Sequence, residues 1–568
     1  MLKGILKRTI VLGLVLLLVM GGVLIAGCTD EVAEEAPQVQ ATSSPVPTPG
    51  RTATPAPTAA ATAAETPTPS QPISYTIADS TGDWGYPSPY THYSRGPGYI
   101  RMSFIFDTLV WKDEAGKFVP ALAEEWQYLE EENAYVFKLR DNVTWHDGEK
   151  FTAEDVAFTV EYVKEHPMPF TTLIGPSGIR KTEIIDDYTI KIYLEQIYAP
   201  FLNDIAGTLV MLPSHIWKGV DVPEEFTDAK AVVGTGPYML ADYSKEHGTY
   251  LYKAYPDYYL GKAAVDELKL VKIGEQMIPS ALKEGSVDYG GISPDIVGEM
   301  EGEGFAVIMA PRGWNAKLTI NHNKEPLSTK EFRQALAYAI DREGLVEITQ
   351  RGHGAAGSAG MIPPDSEWFN PDIEQYAYSP EKARELLEGL GYHLENGWFI
   401  KDGEPLELEL LTQSRHGFVE VGEFIKQQLE SVGIRVDLRI MEGKSLDARV
   451  DAWEFDISVY GHGGLYEPSI LNKVITGAGF NSARYDKNEH LNQLLEEQRQ
   501  EMDPVKRKEL VQQIQAVYAE DLPALTLYYP NWYSAHNGRV AIFYTPGGVA
   551  SGIPIALNKL AFMQCEDK

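Results

Sequence analysis

The chain has 568 residues, a formal net charge of −32, and hydrophobic and charged fractions of 44% and 23%, those of a globular protein. That charge argues against nucleic acid and against docking on an anionic bilayer, both of which need Lys and Arg patches. It favours solubility and says little about fold.

The N-terminus carries Lys3, Lys7 and Arg8, an apolar run from Ile10 to Met20, and then Leu24-Ile25-Ala26-Gly27-Cys28. This pattern predicts a signal peptide over 1–27 ending in a lipobox, with Cys28 acylated as the new N-terminus. An uncleaved anchor is the alternative, but the roughly 20 apolar residues it needs are reached only by counting glycines. Either way the bulk of the chain lies outside the cell. Residues 28–72 are rich in Pro, Thr, Ala and Ser, with no apolar surface to bury, and read as an extended tether. With Cys28 lipidated, Cys565 has no partner within the chain, so packing rather than a disulfide stabilises the body. From Ile73 onward, at about 150 residues per domain, two or three domains are expected.

Strand and helix signals then alternate. Tyr135-Val136-Phe137-Lys138-Leu139-Arg140 reads as a half-buried strand, Asp147-Gly148 as a tight turn, and Thr152 with Asp155 as a capping box opening a helix on Val156, Val160 and Val163. Ser328 with Glu331 predicts a second helix, its stripe Phe332, Ala335, Leu336, Ala339 and Ile340. Ser379-Pro380 predicts a third, stopping at Gly389 or Gly391, and Pro504 to Tyr518 a last long one. Val436 to Ile440 is a strand between them. The class is mixed α/β.

Several segments resemble chemistry without its full pattern. Trp145-His146-Asp147-Gly148 is hairpin chemistry rather than a metal patch. Ser379-Pro380-Glu381-Lys382 fits S-x-x-K, yet no Lys-Thr-Gly occurs and the serine is explained as a cap. Gly352 to Gly360 lacks P-loop or nucleophile-elbow spacing and reads as a flexible loop. No histidine pair has H-x-x-x-H spacing, which argues against a tight all-protein zinc site; no metal and no cofactor is expected. His462, beside Gly461, Gly463 and Gly464, is either a ligand contact or a polar turn. The 31 Tyr and 10 Trp serve the core, and in a binding protein also supply flat walls for a ligand.

Four segments, in order, resemble signatures of the family 5 extracellular solute-binding proteins, the dipeptide, oligopeptide and nickel class that feeds ABC importers. They are Pro120-Ala121-Leu122-Ala123-Glu124-Glu125-Trp126; Phe137 to Arg140 with Trp145 to Gly148 and Thr152 to Val156; Gly234-Thr235-Gly236-Pro237-Tyr238; and Phe332 to Arg342. The resemblance implies a two-lobed periplasmic-binding-protein-like fold (class II, cluster C) that closes on a hinge. Lobe one would comprise 73–110, 223–310 and 530–568, with an inserted subdomain at 111–222, and lobe two 311–529. It implies no enzyme activity, a peptide or other small solute as ligand, a membrane permease as partner, and a monomer. The ligand residues depart from the best-known members. Gly464 stands where dipeptide binders carry an Asp that pairs with the peptide amino terminus, with Glu467 the nearby acid. Ser469 stands where the nickel binder has His. Longer peptides, oligosaccharides and chelates stay open, as does a receptor that signals without transport. A secreted hydrolase would need paired catalytic groups that no spacing announces. The pocket is expected to use Trp314, Tyr460 and Tyr93 as aromatic walls, Asn315, His462 and Arg95 as polar contacts, and Gly464 as bare backbone.

Overall fold

Thr152 illustrates how local chemistry sets an element boundary. Its hydroxyl accepts from the Glu154 amide, and the Asp155 carboxylate accepts from the Thr152 amide at 3.0 Å, so helix Ala153–Glu165 starts with its end satisfied. The computed structural model describes residues 72–170, 178–414 and 417–564. The signal segment, Cys28, the tether and Cys565 lie outside the described residues.

Two large sheets organise two lobes. The first has seven strands in the order Ala306–Met309, Tyr533–His536, Tyr289–Ile292, Ser74–Asp79, Glu267–Lys272, Thr249–Ala254 and Tyr238–Ser244. The second has six, in the order Gly354–Ala356, Ala524–Pro530, Trp314–Ile320, Ile457–Gly463, Glu407–Gln413 and Arg435–Met441. A four-stranded antiparallel sheet formed by Ala123–Leu129, Ala134–Leu139, Thr189–Leu194 and Ile179–Asp186 packs into the hydrophobic core of the first lobe.

The chain passes between the large sheets at 310–313 and returns at 531–532. These segments are tied by Ala310 N–H to the Trp532 carbonyl at 2.7 Å and by Arg312 Nε to Asn531 Oδ1 at 3.0 Å. The C-terminal segment anchors to the first lobe, where Trp111 Nε1 donates to Asn558 Oδ1 at 2.9 Å and buried Lys559 pairs with buried Asp107.

The motif residues do structural work. The Asp147-Gly148 turn forms with Gly148 at φ +91°, and His146 Nε2 lies 2.9 Å from the Gly236 carbonyl oxygen while Nδ1 accepts from the Gly234 amide at 3.3 Å. A Cβ on Gly234 would sit 2.0 Å from the Ile105 carbonyl oxygen, which explains why this approach uses glycine. Arg333 donates to four main-chain carbonyls, including those of Asp521 and Leu522 at the end of helix Pro504–Asp521.

Ser379 caps helix Pro380–Gly389 through the Lys382 amide, as expected. Ser328 does not cap the helix carrying Phe332. That helix runs Lys330–Ala339 from Thr329, because the Ser328 hydroxyl donates to Glu325 in the preceding turn. Gly352 to Gly360 is likewise not simply a loop. Gly354–Ala356 is an edge strand, and a Cβ on Gly357 would lie 2.1 Å from the Thr526 carbonyl oxygen, so the close approach is to the chain's own backbone.

Candidate binding site

Strands Trp314–Ile320 and Ile457–Gly463 pair antiparallel at the centre of the second sheet, with Asn315 opposite His462, Lys317 opposite Tyr460 and Thr319 opposite Ser458. Side chains alternate across a sheet, so these six share one face. Ala316, Leu318, Ile320, Ile457 and Val459 occupy the other face, inside the apolar core of the lobe. The polar face is buried too: all six residues are at most 4% exposed. Beside Lys317 the register against Ala524–Pro530 shifts by a bulge, a device that re-aims side chains.

Most of this polarity is unsatisfied. Both side-chain atoms of Asn315, both ring nitrogens of His462, Thr319 Oγ1 and Ser458 Oγ have no hydrogen-bond partner among the described residues. Lys317 Nζ donates to the Asn481 carbonyl at 2.6 Å and makes no ion pair among the described residues. Burial alone pushes its ammonium down to about 7. Burial first, then the charges of Lys317 and Lys473, holds His462 well below the usual imidazole value. The Tyr460 hydroxyl donates to Asp447, and burial with that carboxylate raises the phenol.

The other lobe meets this face. The Arg95 guanidinium lies 5.6 Å from the centroid of the Phe480 ring, which packs 5.5 Å from Tyr460. Tyr93 is 57% exposed and tilts on Trp84 at 5.9 Å. Nearby, Ser469 Oγ donates to Asp204 Oδ2 at 2.7 Å and the Ala199 amide to the Arg499 carbonyl at 2.7 Å. A cavity of about 260 Å³ lies at this junction, lined by Asp204, Ser469, Lys473, Glu496, Arg499 and Ser551 among others.

Of the residues picked from sequence, Asn315, Tyr460 and His462 come together on the polar face, with Arg95 across from them. Trp314 lies on the opposite face, stacked 6.2 Å from Phe418 and tilted 5.5 Å from Trp532, over a Gly461 whose added Cβ would meet its ring at 2.1 Å. Gly464, at φ +88°, abuts the Ser551–Gly552 backbone.

The pattern described for bacterial extracellular solute-binding proteins, family 5 Middle, matches residues 117–470, more than half the chain. The chain belongs to that family. Among similar proteins of this kind, the dipeptide-binding protein of Escherichia coli (strain K12) is 27% identical over 463 residues, covering 74% of this chain and 83% of that one. In structure, the oligopeptide-binding protein AppA of Bacillus subtilis in complex with a nonapeptide superposes with a TM-score of 0.71 at 22% identity, covering 88% of this chain and 100% of that one. NikZ of Campylobacter jejuni in complex with Ni(L-His) superposes at 0.73, also at 22% identity, covering 87% and 99%. This family 5 protein therefore shares their two-lobed fold.

Lys317, Thr319, Ser458, Lys473 and Phe480 were not singled out from sequence. The available signal was the alternation Asn315-Ala316-Lys317-Leu318-Thr319-Ile320, which ordinarily marks a strand with one face in water. Here that face is covered by the chain around 480–483.

Proposed function

We propose that this chain is the substrate-binding lipoprotein of an ABC importer, held outside the cytoplasmic membrane through Cys28, and that it passes a peptide-like solute to a membrane permease as a monomer. The observation that carries this reading is the buried face of unpartnered polar side chains at the meeting of two lobes. Unpaired buried polar groups cost about 1–3 kcal/mol each, a cost that a hydrogen-bonding solute offsets. The matched relatives named for dipeptides and oligopeptides support the peptide class. Lobe one here runs over 73–110, 223–310 and 530–568 with its insertion at 111–222, and lobe two over 311–529.

The mechanism is hinge closure at 310–313 and 531–532. A solute touching Arg95 on one side and the polar strands on the other binds the closed form better, and so shifts the open–closed equilibrium. In this arrangement Asn315, His462 and Tyr460 orient the solute, Tyr93 and Arg95 close over it, Gly464 presents backbone, and Trp314 supports the strand from behind.

The test is native mass spectrometry of gently purified protein, followed by denaturation to release what it carries. A ladder of peptide masses is the expected result. A single sugar or metal-chelate mass would replace the peptide assignment.

A further inference from the structure

In a chain whose net charge is −32, Lys317 stands on the polar strand face, Lys473 lines the junction cavity and Arg95 lies over the Phe480 ring. None makes an ion pair among the described residues. Lys317 is 1% exposed, and its ammonium meets one carbonyl, at Asn481. The Asp447 carboxylate accepts from the Tyr460 hydroxyl and makes no ion pair among the described residues. Lys473 lines the cavity, and its charge and that of Lys317 both act on His462.

A buried ammonium without a counter-ion is costly, since burial penalises the charged form. A carboxylate arriving with the solute supplies that counter-ion and forms a charge-assisted hydrogen bond. We infer that the solute seats a carboxylate on Lys317, flanked by Asn315 and His462, and that the site selects acidic solutes over their neutral amides. The inference rests on the solute-binding reading above and narrows its ligand class. Two sources share this chemistry, an acidic side chain and a peptide C-terminus.

The experiment uses the full purified chain and calorimetric titration with Ala-Glu-Ala and Ala-Gln-Ala, each with a free and an amidated C-terminus, and with glutarate and glutaramide. Wild type should bind the acidic member of at least one pair ten or more times tighter. Lys317→Met should reduce that ratio to within about twofold, while Lys317→Arg keeps a preference for the acid. Thermal melting of ligand-free Lys317→Met, expected at or above the wild-type midpoint, establishes that it is folded. Discrimination between Glu and Gln assigns the side chain, and discrimination by amidation assigns the terminus; both support the inference. Neutral peptides binding as tightly as acidic ones, or discrimination that survives in Lys317→Met, would overturn it and leave the peptide reading standing. Lys317-dependent binding of glutarate with no peptide bound would support it and remove the peptide reading. Silence from every probe would overturn both.

Discussion

Ser469 donates its hydroxyl to the Asp204 carboxylate across 2.7 Å, joining the second lobe to the part of the chain that carries the four-stranded sheet. A hydrogen bond to a charged group contributes about 1.5–3 kcal/mol. Ser469→Ala should therefore lower the closed-to-open ratio about tenfold or more. Small-angle X-ray scattering of the ligand-free variant should give a larger radius of gyration than wild type. An unchanged curve would show that this contact does not hold the lobes together.

Asp204 also titrates. Burial, and then the Glu467 carboxylate, raise its pKa above 3.8 despite the hydrogen bonds from Tyr198, Ser469 and Asn203. A raised folded-state value means that stability from this group is full below 3.8 and is lost as pH rises through the folded value. Subtracting the melting curve of Asp204→Asn from that of wild type should expose this decline with rising pH. A difference that stays flat across the acid range would refute it.

His92 shows the opposite slope. It is buried with Nδ1 2.9 Å from the Ser88 carbonyl, and burial pushes it from 6.5 down to about 4. Stability from its neutral form is present above 6.5 and is lost as pH falls through the folded value. At about 1.4 kcal/mol per pKa unit, the loss amounts to roughly 3 kcal/mol by pH 4. His92→Asn should lose less on acidification, read as a shallower fall in urea midpoint between pH 7 and pH 4.5.

Lys559 pairs with Asp107 where both are buried, with burial lowering the lysine and raising the aspartate. Lys559→Ala strands a carboxylate and should cost about 3–5 kcal/mol. Replacing both partners, as Lys559→Met with Asp107→Asn, should restore much of that stability. Chemical denaturation of the single and double variants checks this, and equal losses in both would contradict it.

Legibility followed distance along the chain. Thr152 and Asp155, and Ser379 with Lys382, satisfy helix ends within three residues, and the helices start where those residues stand. Ser328 has similar neighbours, but a competing partner at Glu325 takes its hydroxyl. In the site, Trp314 and Asn315 are adjacent in sequence, yet strand alternation sends them to opposite faces. The pairing of Asn315 with His462 brings together residues that no local pattern relates.

The caps at Thr152 and Ser379, the Asp147-Gly148 turn and the family signatures are determined by the sequence alone, because hydrogen bonding there acts within a few residues or the residues recur as fixed strings. Burial is different. Asn315-Ala316-Lys317-Leu318-Thr319 alternates like a strand half in water, and only the covering segment around Asn481 turns its polar face into an enclosed, cation-bearing surface. That covering comes from residues more than 160 positions away. Desolvation depends on everything packed nearby, so Lys317 acquired its significance from the tertiary structure and not from its neighbours in the chain.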